Sequence, residues 1–311
     1  MSRGNRYTLY NIVCFYIFEG GTHILDNTQN QHEFISCQDY TKQRKQDMKN
    51  LISGFESIPH LAIVQVDDNF ASSKYIKWKK KDCDDVGIVW EYIHIKSNET
   101  SQREFEYVLK GLNATSYIHG IIIQLPIPDK YNLDKLQNCI DPIKDVDGFR
   151  KDSYFKPCTA QGIVDWIKFN NYSLRGKTVA VLNRSKIVGK PLIDMFINED
   201  ATVICCNSHT PNIQEIVRDS DVVVTATGKP HMINRDWFRY PYTTELLIDV
   251  GINYDEETGK TCGDVLYDSV KDLYGCYVTP VPGGVGLLTR LALLNNLIRA
   301  YYIQNDWNTH I

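Results

Sequence analysis

Short apolar runs alternate with longer polar segments along most of the chain. Three runs in the first half have the length of β-strands, namely LAIVQV (61–66), WEYIHI (90–95) and GIIIQL (120–125). Four more follow in the second half: TVAVLN (178–183), ATVICC (201–206), DVVVTA (221–226) and LLIDV (246–250). The second set is almost entirely apolar, as expected of parallel strands that are buried on both faces. Strands that alternate with helices in this way predict two α/β domains.

Helix signals fill the intervals between these strands. Ser101 and Glu104 have the spacing of a capping box. The apolar positions after them, Phe105, Leu109 and Leu112, share one helical face. A last helix is predicted in LLTRLALLNNLIRAYY (287–302).

One predicted helix places a lysine among apolar positions. Asp68, Asn69 or Ser72 can cap its start, and Gly87 can end it. Its inward face is formed at helical spacing by Tyr75, Lys79, Cys83 and Val86. Lys79 on that face loses solvation and becomes usable as a proton acceptor near neutral pH. A lysine that crosses the edge of the apolar face to reach water is an equally supported interpretation.

The stretch TVAVLNRSKIVGKP (178–191) runs from a strand through a turn into a predicted helix. Asn183, Ser185 and Gly189 stand where a dinucleotide-binding fold usually has G-x-G-x-x-G, so the glycine pattern alone is a weak signal. A helix N-terminus still offers unpaired N–H groups and a favourable dipole to phosphate, and Ser185 can donate its hydroxyl. The turn is therefore predicted to bind phosphate.

The residues after the next strand favour NADP over NAD. ATVICC is followed by Asn207 and Ser208, where NAD enzymes have an Asp or Glu that holds the ribose diol. Arg184 and Ser208 can instead hold the phosphate on the ribose of NADP. His209 or Thr210 can add a further donor. Taken singly, Arg184 is better explained as an exposed loop cation and Ser208 as a turn residue, but the strand-turn-helix context favours the cofactor.

Polar residues also stand at strand ends, where α/β enzymes usually work. Gln124 closes an apolar run and needs hydrogen-bond partners, which neighbouring backbone can also supply. Asp145 and Asp147 pack into a turn that closes with Gly148, and ordinary turn chemistry explains them in isolation. TPVPGGVG (279–286) joins two prolines to three glycines, which lets a flat ligand approach the backbone or simply forms a turn before the last helix.

Composition narrows the class of protein. The chain has 311 residues, 43% hydrophobic and 23% charged, which suffices for two globular cores. A formal net charge of −4 argues against a nucleic-acid partner. Nine cysteines without C-x-x-C pairs indicate reduced thiols, and neither they nor the histidines have metal-site spacing. No run reaches the length of a membrane span, and residues 1–32 are interpreted as an extension in which organellar targeting stays open.

Eight motifs occur in an order that resembles one known family. They are ASSKYIKWKKK, GIIIQLPIP, KDVDGF, KPCTAQGIV, VLNRSKIVGKP, IDVGIN, GDV and TPVPGGVG. The set is similar to the methylenetetrahydrofolate dehydrogenase/cyclohydrolase family over residues 35–302. The resemblance implies an α/β folate-binding catalytic domain (33–160 and 287–311) completed by the C-terminal helix, and an NADP-binding Rossmann domain (161–286), with a cleft in which folate meets nicotinamide.

The resemblance also assigns roles to individual residues. Lys79 resembles the essential lysine of the cyclohydrolase step, and Gln124 the glutamine that hydrogen-bonds it. Tyr75 resembles the tyrosine that packs on the folate rings, and Asp147 the aspartate that binds the pterin edge. Further substrate contacts are implied at Ser72, Pro282, Gly283 and Gly284. Cofactor contacts are implied at Asn183, Arg184, Ser185, Ile187, Ser208, Thr227, Gly228 and Ile252.

Four positions depart from the family pattern. Asn183 and Asp67 replace usual glycines, Asn207 a usual histidine and Leu287 a usual proline. Some family members with asparagine at the position of Asn183 use NAD and lack the cyclohydrolase activity, whereas the presence of Lys79 favours both activities.

Three functions are therefore carried forward. The first is a bifunctional enzyme that oxidises methylenetetrahydrofolate with NADP and hydrolyses the methenyl product to 10-formyltetrahydrofolate. The second is a monofunctional NAD-dependent dehydrogenase, and the third a non-catalytic folate- or nucleotide-binding relative. Expected partners are tetrahydrofolate one-carbon derivatives and a second copy of the chain, without nucleic acid, membrane or metal, in the cytoplasm.

Overall fold

The computed structural model describes residues 34–308, so the extension predicted at residues 1–32 lies outside the described residues. Contacts divide the described chain into two compact units. The three-strand unit comprises residues 45–158 and 290–308, and the five-strand unit comprises residues 34–44 and 159–289. Helix α1 (Cys37–Ile52) begins in the five-strand unit and ends in the three-strand unit. The assignment of folate and NADP to separate domains stays a prediction.

The three-strand unit is built around a small parallel sheet. Its elements are β1 (His60–Val66), α2 (Phe70–Val86), β2 (Val89–Ile95), α3 (Gln102–Ala114), β3 (Gly120–Gln124) and α4 (Leu133–Cys139). The strand order is β2-β1-β3, and Val64 of the central strand lies opposite Ile93 and Ile123. Phe105 and Leu109 of α3 are fully buried against this sheet. The three predicted strands and the predicted α3 face are confirmed.

The capping signals of this unit are also confirmed. Ser101 accepts a hydrogen bond from the Glu104 amide at 3.3 Å, and the Glu104 carboxylate accepts one from the Ser101 amide at 2.7 Å. Asn69 caps the start of α2, and Gly87 ends it with φ +86°. Both ends of the helix that carries Lys79 are therefore fixed by local sequence.

The five-strand unit holds a larger parallel sheet. Its elements are α5 (Cys158–Phe169, from residue 159), β4 (Thr178–Leu182), α6 (Gly189–Asn198), β5 (Thr202–Cys205), α7 (Ile213–Arg218), β6 (Val222–Thr225), β7 (Leu246–Asp249), β8 (Asn253–Asp255), β9 (Lys260–Cys262), α8 (Tyr267–Val270) and β10 (Tyr277–Val278), with a 3₁₀ turn at Arg235–Trp237. The strand order is β10-β7-β6-β4-β5, and β8 and β9 form an antiparallel hairpin. The chain therefore changes direction across the sheet at β4, which has β5 on one side and β6 on the other. Ligands of open α/β sheets bind at the carboxyl ends of the strands beside such a point.

The last helix, α9 (Val285–Asn308), completes the three-strand unit from residue 290 onward. It packs so closely on β3 that a Cβ at Gly120 would lie 2.7 Å from Leu297. Asn296 is buried and donates to the Val146 carbonyl at 2.9 Å. The resemblance predicted this use of the C-terminal helix, and the structure confirms it.

Asp67 stands after β1 where the family usually has glycine. Its φ is +50°, in the left-handed region that disfavours most side chains. The Asp67 carboxylate accepts a hydrogen bond from the Ser97 amide at 2.7 Å, and this contact lowers the pKa of Asp67. Aspartate tolerates this conformation better than other residues, because its short polar side chain bonds to nearby backbone. The departure is therefore accommodated locally.

Within residues 34–308, no helix is long and apolar enough to cross a membrane. In the same range, His, Cys, Asp and Glu side chains form no group of three that could hold a metal ion. Eight cysteines lie in the described chain, all as free thiols.

His119 makes the stability of the three-strand unit dependent on pH. Its Nδ1 accepts a hydrogen bond from the His60 amide at 3.1 Å, and burial lowers the pKa of His119 to about 4. The unfolded chain therefore takes up a proton near its ordinary pKa of about 6.5, while the folded chain does not until about pH 4. The contribution of neutral His119 to the free energy of unfolding is therefore fully present above pH 6.5 and decreases as the pH drops toward 4.

We expect His119→Asn, which keeps an acceptor for the His60 amide, to flatten this dependence. Urea unfolding between pH 7 and pH 4 measures it, and the wild type should lose on the order of 2 kcal/mol more than the variant. His209→Asn, at an exposed position, is the control and should keep the wild-type slope. A His119→Asn slope equal to that of the wild type would contradict the assignment.

Candidate active site and dinucleotide-binding turn

Three side chains that the resemblance assigns to the folate site lie along one face of α2. Asn69 accepts a hydrogen bond from the Ser72 amide at 3.1 Å and so orients the first turn. Ser72, Tyr75 and Lys79 follow at intervals of three and four residues, which places them on one side of the helix. Ser72 is buried, and its hydroxyl donates to the Leu125 carbonyl at 3.2 Å, directly after β3. Tyr75 and Lys79 are half-buried.

Asp147 lies within the electrostatic reach of Lys79. Although the residue as a whole is partly exposed, desolvation of its carboxyl group raises the pKa of Asp147, while the Lys79 ammonium and a hydrogen bond with Cys158 lower it. The turn requires glycine next, because Gly148 has φ +73° and a Cβ there would lie 2.5 Å from the Lys156 carbonyl. A half-buried ammonium beside a desolvated carboxyl group is an arrangement that can hold and transfer a proton.

Gln124 ends β3 with half of its amide unpaired. Its Nε2 donates to the Leu125 carbonyl at 2.8 Å, whereas its Oε1 is buried and accepts no hydrogen bond from the described residues. Within residues 34–308, no hydrogen bond joins Gln124 to Lys79, because the Gln124 amide nitrogen turns to the neighbouring carbonyl. A buried acceptor without a donor is costly, so this oxygen is a ready contact for a donor on a bound molecule.

A buried ion cluster that sequence reasoning missed anchors the same helix. Asp82 is 4% exposed and forms ion pairs with Lys45 of α1 and with Arg290 of α9, the latter at 2.5 Å. The Arg290 guanidinium also lies 5.3 Å from the Trp78 ring, which stands edge-on to Tyr75. Nothing local to the sequence shows which helices supply the partners of Asp82.

In the five-strand unit, the turn after β4 is closed by its own side chains. The Asn183 Oδ1 accepts hydrogen bonds from the amides of Ser185 at 2.7 Å and Gly189 at 3.1 Å, and its Nδ2 donates to the Ala226 carbonyl at 2.5 Å. The Ser185 hydroxyl accepts from the Val188 amide at 3.2 Å. A Cβ at Gly189 would lie 2.3 Å from the Asn183 carbonyl, so glycine is needed where α6 begins. Asn183 and Ser185 thus bind amides that a glycine-rich turn leaves open to phosphate.

The predicted cofactor residues around this turn are exposed. Arg184 and Ile187 lie in the turn, and Ser208 follows β5. The loop after β5 is folded on itself, because Asn207 donates its amide to Thr210 and accepts from the His209 amide. A phosphate at this end of the sheet would therefore be met chiefly by the side chains of Arg184 and Ser208.

The remaining predicted cofactor residues lie in loops after β6 and β7. Thr227 precedes Gly228, which is exposed and has φ +68°. Ile252 is 52% exposed and follows β7. The bond from Asn183 to Ala226 joins the first of these loops to the turn after β4. The structure thus brings the turn and the loop after β6 together at the point where the strand order reverses.

The predicted substrate loop 282–284 also belongs to the five-strand unit. Gly283 has φ +107°, and a Cβ there would lie 2.8 Å from the Gln38 side chain. A Cβ at Gly284 would lie 2.4 Å from the Pro280 carbonyl, while Pro282 is exposed. The two glycines are therefore required by the path of the backbone, whether or not a ligand binds.

Family models match both parts of the chain. The catalytic domain of tetrahydrofolate dehydrogenase/cyclohydrolase matches residues 35–147, and the NAD(P)-binding domain of the same family matches residues 157–305. This chain belongs to the tetrahydrofolate dehydrogenase/cyclohydrolase family. A curated relative, the bifunctional protein FolD of Bacillus cereus, is 41% identical over 252 residues, which cover 78% of this chain and 86% of the relative.

Solved structures agree with this membership. The bifunctional FolD methylenetetrahydrofolate dehydrogenase/cyclohydrolase of Campylobacter jejuni has a TM-score of 0.80 at 31% identity, covering 87% of this chain and 98% of that chain. The Trypanosoma brucei methylenetetrahydrofolate dehydrogenase-cyclohydrolase, solved with NADP and an inhibitor, has a TM-score of 0.79 at 27% identity, covering 88% and 98%. The predicted two-domain α/β fold with a Rossmann-like domain is confirmed.

A nicotinamide dinucleotide fits the five-strand unit of this family member. The close start of α6 at Gly189, which any Cβ would block, keeps the helix N-terminus against β4. Arg184 and Ser208 follow the carboxyl ends of two neighbouring strands and are exposed, and both carry hydrogen-bond donors. The Asn183 side chain occupies part of the turn and accepts hydrogen bonds from two of its amides.

The ion cluster around Asp82 yields a prediction about stability. Arg290→Met removes one of two cations from a buried carboxylate and should lower the free energy of unfolding by about 2–3 kcal/mol. Lys81→Met removes the exposed pair between Lys81 and Asp85 and should cost less than about 0.5 kcal/mol. Urea unfolding at pH 7 measures both free energies. An equal decrease in the two variants would show that the buried Asp82 cluster stabilises the fold no more than an exposed ion pair does.

Proposed function

We infer that this chain is a bifunctional NADP-dependent methylenetetrahydrofolate dehydrogenase and methenyltetrahydrofolate cyclohydrolase. The observation that carries the inference is the half-buried Lys79 beside the desolvated Asp147 carboxyl group, on the helix face that also bears Ser72 and Tyr75. That constellation lies in the part of the chain matched by the family's catalytic domain.

The dinucleotide supplies the hydride acceptor of the first reaction, and Arg184, Ser185 and Ser208 are the residues that would hold its phosphates. The folate is oriented by the protein, which positions the ring system and excludes water from it. Tyr75 offers a ring face for packing, and the Asp147 carboxyl group a hydrogen-bond partner for the pterin edge. The unpaired Oε1 of Gln124 can accept a further hydrogen bond from the substrate.

In the second reaction, water adds to the methenyl carbon and the ring opens to the 10-formyl product. Lys79 takes up a proton from the attacking water and returns one to the departing ring nitrogen. Burial raises the pKa of Asp147, and the charge of Lys79 lowers it in part, so the two groups interact electrostatically. Both steps require a lysine that is partly shielded from bulk water, which is how α2 presents it.

NADP is proposed as the preferred dinucleotide. Arg184 and Ser208 provide a cation and a hydroxyl for the ribose phosphate, and β5 is followed by Asn207 rather than an acid. The related enzyme of Trypanosoma brucei was solved with NADP. A monofunctional NAD enzyme is the alternative, and Asn183 in the phosphate turn is the observation that favours it.

The test is to mix the protein with methylenetetrahydrofolate and either NADP or NAD, following reduced cofactor, methenyl and formyl folate together. The proposed function predicts reduced NADP with 10-formyl product and little methenyl intermediate. Reduced NAD with persistent methenyl folate would select the monofunctional alternative. Absence of turnover with both cofactors would leave a non-catalytic binding protein.

Lys79→Met should separate the two activities. The cyclohydrolase rate is expected to fall by about 10²–10⁴-fold, the usual contribution of general acid–base catalysis, so that methenyl folate accumulates while NADP is still reduced. Lys77→Met on the exposed side of the same helix is the matched control and should retain both rates. A Lys79→Met enzyme with wild-type cyclohydrolase rate would remove Lys79 from the mechanism.

Arg184→Ala should act on the choice of dinucleotide. Loss of a charge-assisted contact to the ribose phosphate is expected to raise the KM for NADP by about tenfold or more and to leave the KM for NAD nearly unchanged. Arg175→Ala, at an exposed position before β4, should change neither. Equal effects on the two cofactors would place Arg184 on a phosphate that both share.

Two further expectations concern the oligomeric state of the protein and its location in the cell. We propose a homodimer, as the family resemblance implies, and light scattering at assay concentration would give twice the mass of one chain. We also propose action in the cytoplasm, which the free thiols of the described cysteines support. Fractionation of the native cell would test that location, and recovery of the protein in an organelle would contradict it.

A further inference from the structure

One buried carboxylate in the five-strand unit gathers an unusual number of donors. The Asp264 side chain is fully buried. Its Oδ2 accepts hydrogen bonds from the Thr225 hydroxyl at 2.9 Å, the Thr227 hydroxyl at 3.0 Å and the Thr227 amide at 2.5 Å. Its Oδ1 accepts from the Asn253 side chain at 2.9 Å and the Lys229 amide at 3.2 Å. Asp264 therefore ties the loop after β6 to the residue that follows Ile252.

A second carboxylate fixes the position of Asp264. The Asp249 side chain, at the end of β7, accepts hydrogen bonds from the amides of Asp264 at 3.1 Å and Val265 at 2.9 Å. Two glycines make room for the pair. A Cβ at Gly263 would lie 1.8 Å from Asp249 Oδ2, and one at Gly251 would lie 2.2 Å from Asp264 Oδ1. Gly263 and Gly251 therefore allow the backbone to approach the two carboxylates closely, which a residue with a side chain would prevent.

The loops held by Asp264 lie where the strand order reverses. β6 is the neighbour of β4, and the loop after β6 is already joined to the phosphate turn through Asn183 and Ala226. Thr227 and Gly228 lie in that loop. Gly228 is exposed and left-handed, and it follows Thr227, whose amide and hydroxyl donate to Asp264. Movement of the Asp264 contacts would therefore move the surface that faces a dinucleotide.

We propose that Asp264 is a positioning residue for the dinucleotide site, which it serves by holding the loops that carry Thr227, Gly228 and Ile252. The inference rests on the proposed function, because it assumes that these loops meet NADP. Asp264 itself is fully enclosed by donors from the protein and acts only through the groups that it binds.

Asp264→Asn tests this with almost no change in volume. One carboxylate oxygen becomes an NH₂ group, which then faces protein N–H or O–H donors and cannot accept their hydrogen bonds. The loop amides of Thr227 and Lys229 should lose protection, so hydrogen exchange in residues 225–229 of the cofactor-free protein should rise about tenfold or more. The dissociation constant for NADPH, measured by fluorescence titration, should also rise by about tenfold or more.

The cyclohydrolase reaction provides an internal control for folding, since methenyl folate is hydrolysed without a dinucleotide. Asp264→Asn should keep this rate within about twofold of the wild type. Asp255→Asn is the matched control variant, because Asp255, the last residue of β8, also accepts amide and hydroxyl hydrogen bonds, but from the exposed turn that leads to β9. It should keep the wild-type affinity for NADPH.

If Asp264→Asn fails to fold, Asn253→Ala decides the question, because it removes only one of the five donors and should raise the NADPH dissociation constant by about threefold to tenfold. If folded Asp264→Asn binds NADPH as tightly as the wild type, and the wild-type protein shows the proposed activities, this inference is overturned and the proposed function stands. Weaker NADPH binding without faster exchange in residues 225–229 would also overturn it, because Asp264 would then act without moving the loop. A wild-type protein that binds no NADPH would overturn both this inference and the proposed function.

Discussion

A carboxylate that leaves water must find cations or hydrogen-bond donors, and this requirement governs the working parts of both units. Asp82 meets it with Lys45 and Arg290, which connects α2 to α1 and α9. Asp264 meets it with five donors, which come from the end of β6, the loop after it and the start of β8. In each case a buried carboxylate that is not itself a candidate site residue holds the helix or loop on which candidate site residues lie.

Asp147 is satisfied less completely than these two carboxylates, and that difference suits a reactive group. Burial raises its pKa, while Lys79 and Cys158 counteract only part of this effect. Among the described residues, the buried Oε1 of Gln124 also has no donor. A buried acceptor of this kind is one that a bound molecule can satisfy.

Two positions show how a side chain can stand where glycine is usual. Asp67 adopts a left-handed conformation and binds the Ser97 amide, so the backbone path is retained. Asn183 binds the amides of Ser185 and Gly189, so the turn is stabilised by the protein itself. The first replacement is accommodated by a contact to nearby backbone, whereas the second places a side chain on two amides of the turn after β4.

The sequence by itself determined the strands, the caps and the candidate residues, because these depend on neighbours a few positions away. Apolar runs located the strands, and eight motifs in order indicated the family. The sequence limited the start of α2 to Asp68, Asn69 or Ser72 and placed its end at Gly87, and the structure selected Asn69. Tertiary structure alone decided which distant groups meet. The pairing of Asp82 with Arg290, separated by 208 positions, and the closure of two loops on Asp264 depend on how helices and strands pack. Local patterns carry no signal for such contacts, since the partners of a buried charge are chosen by packing and not by their distance along the chain.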